Sequence, residues 1–198
     1  MSAIPKERMT VEEFLAWSER APERYELVDG LVFAQAAERA AHAKIKGEVF
    51  VALREAIRRG SLRCRALPDG MAVRIDARTV YEPDAQVYCG PELPADALLS
   101  ENPIIVVEVI SPSTGRNDAL RKLEGYFRLP SVRHYLILSP DEPLLIHHAR
   151  GEGETIVTRI FRSGVVALDP PGLKLDLTEI YGAAAPEDPA GRILERDL

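Results

Sequence analysis

With 198 residues, 46% hydrophobic and 28% charged, the chain is long enough for one domain with a substantial core and is composed like neither a disordered nor a fibrous protein. Its net charge of -6 excludes the basic excess on which strong sequence-independent DNA binding rests. Cys64 and Cys89 follow neither a metal-ligand spacing nor a multi-bridge framework, which suits a reducing compartment. No apolar stretch approaches the ~18 residues of a spanning helix, and the first residues, MSAIPKERMTVEEF, contain no signal-type apolar core. A cytoplasmic protein without membrane contact is expected.

Thr10 followed by Glu13 forms a capping-box pattern, and Val11, Phe14, Leu15 and Trp17 then give an apolar stripe, which predicts a helix over 10–20. Tyr25 to Val28 and Leu31 to Phe33 flank Asp29-Gly30, the short-range signal of a two-residue hairpin, and place Glu26 on the first strand. A long amphipathic helix follows over 37–59, with Ile45, Val49, Ala52, Leu53 and Ala56 at helical spacing. Lys44, Lys46, Arg54, Arg58, Arg59, Arg63 and Arg65 form a basic run that reads as a solvated face or, failing that, a local basic patch.

Strands at 62–67, 71–75 and 85–88 then suggest a mostly antiparallel meander, with Pro68-Asp69-Gly70 as a plain turn. Ile104 to Ile110 is the most β-branched run of the chain, as expected of a central strand covered on both faces, and Glu108 interrupts it. The helix after it carries Leu120, Leu123 and Phe127 as its apolar stripe, and His134 to Leu138 is the next strand, so the two strands should run parallel in a βαβ unit. Later strands at 144–147, 155–161 and 165–168 extend or flank the sheet, and a loosely held tail is expected over 183–198, leaving 1–182 as a single domain.

Pro83-Asp84 and, 24 positions on, Glu108 are the residues that call for chemistry. A carboxylate in an Ile/Val run costs several kcal/mol unless a partner satisfies it. Two carboxylates ~4 Å apart repel by roughly 4 kcal/mol at an effective dielectric near ~20. A divalent cation between them removes both objections, and could activate a water toward a phosphorus centre. Lys122, with Asp118 and Tyr126 each four residues away, can supply an ammonium at the rim of the core.

Simpler roles stand beside these. Glu108 could pair with Arg133, Asp118 with Lys122 on the surface, and Glu26 with a basic side chain across its hairpin. His42 fits a hydrogen-bonded core position, while His147 and His148 point to opposite faces of a strand and cannot jointly chelate. Ser111 and Ser113 lack the pattern of a serine hydrolase and fit the cap of the following helix.

Tyr25-Glu26-Leu27-Val28-Asp29-Gly30, His42, Pro83-Asp84, the stretch Val107 to Thr114, and Asp118 with Lys122 and Tyr126 together resemble the Uma-two family, a restriction-endonuclease-type family within the PD-(D/E)XK nuclease superfamily. The resemblance runs from about Met9 to Ala149. It implies an α/β (α+β) restriction-endonuclease-like fold, in which a mixed β-sheet is flanked by helices and carries extra antiparallel hairpins. It further implies a nucleic-acid phosphodiesterase with Mg²⁺ or Mn²⁺ on Asp84 and Glu108, Glu26 and Lys122 completing the catalytic set, and His42, Asp118 and Tyr126 accessory. Ile110 stands where the superfamily pattern has its lysine, which Lys122 would replace from the neighbouring helix. By analogy with endonucleases that cut both strands, a symmetric homodimer is expected. The other class of function open to such a chain is a catalytically inactive nuclease fold kept as a binding or assembly module.

Overall fold

The computed structural model describes residues 5, 7–35, 37–110 and 116–182. The expected tail and the capping role of Ser111 and Ser113 fall outside them. Helix α1 (Val11–Ser18) starts on the expected capping box, in which Thr10 accepts from the Glu13 N–H and the Glu13 carboxylate accepts from the Thr10 N–H. Strands β1 (Tyr25–Val28) and β2 (Leu31–Ala34) pair around Asp29 and Gly30, both at positive φ, as a two-residue turn requires. Helix α2 (Ala40–Arg59) buries Ile45, Val49, Ala52, Leu53, Ala56 and Ile57, and also Lys46.

The apolar run of β8 (Pro103–Val109) is indeed central. It lies antiparallel to β6 (Ala85–Cys89) and parallel to β9 (His134–Leu138), with helix α3 (Arg116–Arg128) as the crossover between β8 and β9. Outward from these lie β3 (Cys64–Pro68) on one side and β10 (Leu145–Arg150) then β11 (Ile156–Phe161) on the other, completing a six-stranded mixed sheet in the order β11-β10-β9-β8-β6-β3. Alternation along β8 divides the core. Ile105, Val107 and Val109 face helix α2, while Val106 packs with Tyr126 and Tyr135 on the opposite side.

On that second side stands a five-stranded sheet, β2-β1-β5-β4-β7, built from the first hairpin with β4 (Ala72–Asp76), β5 (Thr79–Tyr81) and β7 (Leu99–Ser100). The expected meander is therefore split: β3 and β6 pair with each other, while β4 and the unanticipated β5 leave for the other sheet. A hairpin of β12 (Val165–Leu168) and β13 (Leu173–Asp176), followed by α4 (Thr178–Tyr181), packs its apolar residues against the α2 side of the core. This α+β architecture, a mixed sheet flanked by helices with extra antiparallel strands, is the restriction-endonuclease-like one expected from the sequence. Among the described residues no helix is long and apolar enough to cross a membrane.

Three local readings are corrected. Leu120 does not belong to the buried stripe of α3; it is 66% exposed, because the inward face is set by Lys122, Gly125 and Tyr126. Lys46 leaves the solvated basic run and lies in the core boundary. Cys64 and Cys89 are disulfide-bonded, since the β3–β6 register places them directly opposite each other across 25 residues of sequence.

Gly125 lets α3 sit close on the second sheet. A Cβ there would lie 2.6 Å from Cε2 and 2.8 Å from the hydroxyl oxygen of Tyr81, whose buried ring stacks edge-on against Tyr126. Alanine in a helix is ordinarily better than glycine by ~1 kcal/mol. Here Gly125→Ala is expected to destabilise by about 1–3 kcal/mol through overpacking, and urea unfolding that showed a gain instead would mean that α3 is free to shift.

A buried histidine pair joins β9 to β10. His134 donates from Nε2 to the Pro170 carbonyl, which leaves its Nδ1 to accept from His147 Nε2, 2.9 Å away, with both rings neutral. Burial pulls His147 down to about 4 and lowers His134 too. Between pH ~6.5 and ~4 the unfolded chain therefore binds a proton that the folded chain refuses, so this stability is complete above the window and lost as pH falls through it. Comparing urea midpoints of wild type and His147→Gln across that window should show a shallower loss in the variant, by up to about tenfold in the unfolding constant per pH unit. Identical slopes would show that the pair does not titrate with folding.

Candidate functional site

Glu108 is the penultimate residue of β8, flanked by the fully buried Val107 and the nearly buried Val109, and its parity points it away from α2 toward α3. Its carboxylate is met by two side chains one helical turn apart. Lys122 Nζ lies 3.0 and 3.1 Å from its two oxygens, and the Tyr126 hydroxyl donates to Oε1 at 2.7 Å. The same ammonium donates to Glu26 Oε1 at 2.9 Å, and that oxygen also accepts from the Glu82 N–H. Lys122 thus bridges β1 of the smaller sheet and β8 of the larger one.

Asp84 follows Pro83 at the entrance to β6. Its N–H donates to the Val107 carbonyl at 2.9 Å and its Oδ2 accepts from the Val109 N–H at 2.6 Å, so main chain and side chain together clamp the end of β8. Its Oδ1 lies 3.0 Å from Lys46 Nζ, which also contacts Glu38 and Asp69. Asp69 is shared with Arg24, and Arg24 reaches Glu82. His42, one turn before Lys46, donates to the Val109 carbonyl and stands 3.9 Å from Asp84 Oδ2. Above this floor opens a cavity of about 590 Å³ lined by Glu26, His42, Asp84, Glu108, Arg121 and Lys122.

Burial pushes the Glu108 carboxyl above its ordinary range, and Asp84 and Glu26 add to the push while Lys122 and the Tyr126 hydroxyl oppose it. Burial alone would lower Lys122; Glu108, Glu26 and Asp118 more than reverse it and hold the ammonium charged. Lys46 behaves alike, its partial burial outweighed by Asp69, Asp84 and Glu38. The floor therefore sets three carboxylates, Glu26, Asp84 and Glu108, against two ammonium groups.

Asp84, Glu108, Lys122 and Glu26 thus converge, with Tyr126 bonded directly and His42 at the rim. Asp118 is 3.9 Å from Lys122 but is bonded to Arg121. Glu108 does have an ion-pair partner, as its simpler reading required, but the partner is Lys122 from the adjoining helix rather than Arg133. Lys46 and Asp69 join the site although the sequence reads the one as part of a basic run and the other as a plain turn residue. The signal for Lys46 was its i+4 position from His42 on one helix face; Asp69 read as an ordinary turn residue and gave none.

Carboxylate oxygens suit a hard cation such as Mg²⁺ in kind. As arranged they are engaged by protein donors instead: both oxygens of Asp84 and both of Glu108 accept from donors within about 3 Å. Among the described residues no group of three or more His, Cys, Asp or Glu is placed to hold a metal ion.

The family model described as "Putative restriction endonuclease" matches residues 11–183, which takes in every element of this site. The chain belongs to the Uma2 family. A crystal structure described as a "putative nuclease belonging to DUF820" from Anabaena variabilis ATCC 29413 superposes with a TM-score of 0.68 at 16% identity, covering 87% of this chain and 97% of that one, and is similar in fold. An uncharacterized protein of Synechocystis, slr1290, is 27% identical over 193 residues, 92% of this chain and 96% of its own length. The fold of this Uma2 chain is thus consistent with a PD-(D/E)XK-related architecture.

Removing the bridging ammonium leaves two buried carboxylates without a counter-charge. Lys122→Met is expected to lose about 3–5 kcal/mol of stability in urea unfolding, and Lys122→Met/Glu108→Gln to recover part of it. A loss under about 1 kcal/mol in the single variant would mean that the ion pair does not hold the two sheets together.

Proposed function

We propose that this chain uses its nuclease fold as a binding or assembly module, nucleic acid being the partner class to which its family points, with the acid–lysine cluster as the preorganised floor of the pocket. The observation that carries this is that each of the four oxygens of Asp84 and Glu108 already accepts from a protein donor, among Lys46, Lys122, Tyr126 and the Val109 N–H. An ammonium held at ~3 Å in a buried site is costly to displace, because its own charge then needs a new partner. In this arrangement Lys122 cannot be aimed at a phosphate or a water; it is committed to Glu26 and Glu108. The net charge of -6 places any affinity in local contacts rather than in the overall field.

A second reading has its own support, the excess of three carboxylates over two ammonium groups beneath an open cavity of about 590 Å³. In it the chain is a Mg²⁺- or Mn²⁺-dependent endonuclease, with Asp84 and Glu108 as the ligands of the ion. The bound cation would supply phosphoryl polarisation and a more acidic water. Glu26 would support the acidic set, Lys122 would neutralise charge on the phosphate, and His42 would stand at the mouth.

Titration calorimetry with Mg²⁺ and Mn²⁺, on wild type and Asp84→Asn, separates the two; asparagine keeps an oxygen for the Val109 N–H while losing the charge. The module reading expects no saturable uptake up to millimolar metal, and binding without cleavage on a panel of single-stranded, double-stranded and branched DNA and RNA. Saturable uptake abolished by Asp84→Asn, together with metal-dependent cleavage, would overturn it in favour of the endonuclease.

A further inference from the structure

Strand β11 ends the six-stranded sheet, and among the described residues nothing pairs with its outer edge. Ile156, Val157, Thr158, Arg159 and Ile160 are all exposed, with Ile160 at 66%. Its pairing with β10 is regular along its whole length, Leu145↔Phe161 through Arg150↔Ile156, so no bulge bends it. The strand carries no proline. Long, regular, apolar edges are what proteins ordinarily cover or break.

The phase of that edge follows from the hairpin. The Gly151 N–H donates to the Thr155 carbonyl, which makes Thr155, and therefore Val157, Arg159 and Phe161, the residues that exchange main-chain bonds with β10. Ile156, Thr158 and Ile160 consequently aim their N–H and C=O groups outward. An antiparallel partner must meet those three residues, which restricts the registers a second β11 could adopt. Of these, the register that sets Thr158 against Thr158 also sets Ile156 against Ile160, twice, and brings the turn residue Glu154 at one end of each strand to the same end as the bend residue Arg162 of the other copy. Sliding by one allowed step toward either end leaves Ile156, or Ile160, facing a residue beyond the end of the partner's strand. The strand has its acid before it and its arginine after it, so it is complementary to itself when reversed, as a two-fold axis demands.

We propose that β11 is the interface of a homodimer, in which two copies of this chain join their larger sheets edge to edge, antiparallel, about an axis at Thr158. Four isoleucines, two from each copy, then flank the central threonine pair on one face of a continuous sheet. Arg162 already contacts Glu142 of its own chain, an exposed pair at 2.9 Å, and gains Glu154 of the second copy as another neighbour. The inference does not depend on whether the pocket hydrolyses anything.

Sedimentation equilibrium of the full chain over the micromolar range is expected to give the mass of two chains. Thr158→Pro removes the central outward N–H at an edge position where proline is tolerated, and is expected to give a single chain with an unchanged circular-dichroism melt. Glu154→Arg should weaken the dimer about tenfold through two arginine pairs, and Glu154→Arg/Arg162→Glu should restore it. If Thr158→Pro fails to fold, the charge exchange decides. A wild-type chain that stays single throughout, a dimer that survives Thr158→Pro, or a double variant no tighter than Glu154→Arg would each overturn the proposal.

Discussion

The ammonium of Lys122 sits where both sheets and helix α3 meet, bonded to Glu26 of β1 and Glu108 of β8. Without that cation the smaller sheet would press two carboxylates together in a region from which water is almost excluded, at a cost of several kcal/mol. With it, α3 must lie with residues 122 and 126 inward, Gly125 must lack a side chain to clear Tyr81, and Leu120 is left to solvent. Packing and electrostatics specify the same rotation of one helix.

Lys46 does for Asp84 what Lys122 does for the two glutamates, and draws Asp69, Arg24 and Glu82 into a continuous band of charge beneath the cavity. The function of the pocket turns on competition for these oxygens. Two ammonium groups are covalently tethered and always present, whereas a dication must be concentrated enough to evict them and rehouse their charge. Membership of the Uma2 family fixes the scaffold on which this contest takes place, not its winner.

Much of this was legible in the residues. A glutamate inside an Ile/Val strand, a Pro-Asp ahead of it, a capping box and an Asp-Gly turn are local signals, and each found its place. What stayed hidden depends on register and on competition between neighbours. The split of β4 and β5 from β3 and β6 is decided by which sheet buries them, and the cystine by a strand pairing that brings residues 64 and 89 opposite. Hydrophobicity placed Leu123 and Phe127 of α3 against the core but misplaced Leu120, because a polar cluster held by charge sets the rotation of the helix.

Asp84 also finishes a β-ladder, its side chain accepting the Val109 N–H as a neighbouring strand's carbonyl would. Position 84 therefore answers to architecture as well as to chemistry. A descendant that had abandoned turnover altogether would still suffer for losing its aspartate, so the persistence of that acid in a relative is weak testimony that the relative cuts anything.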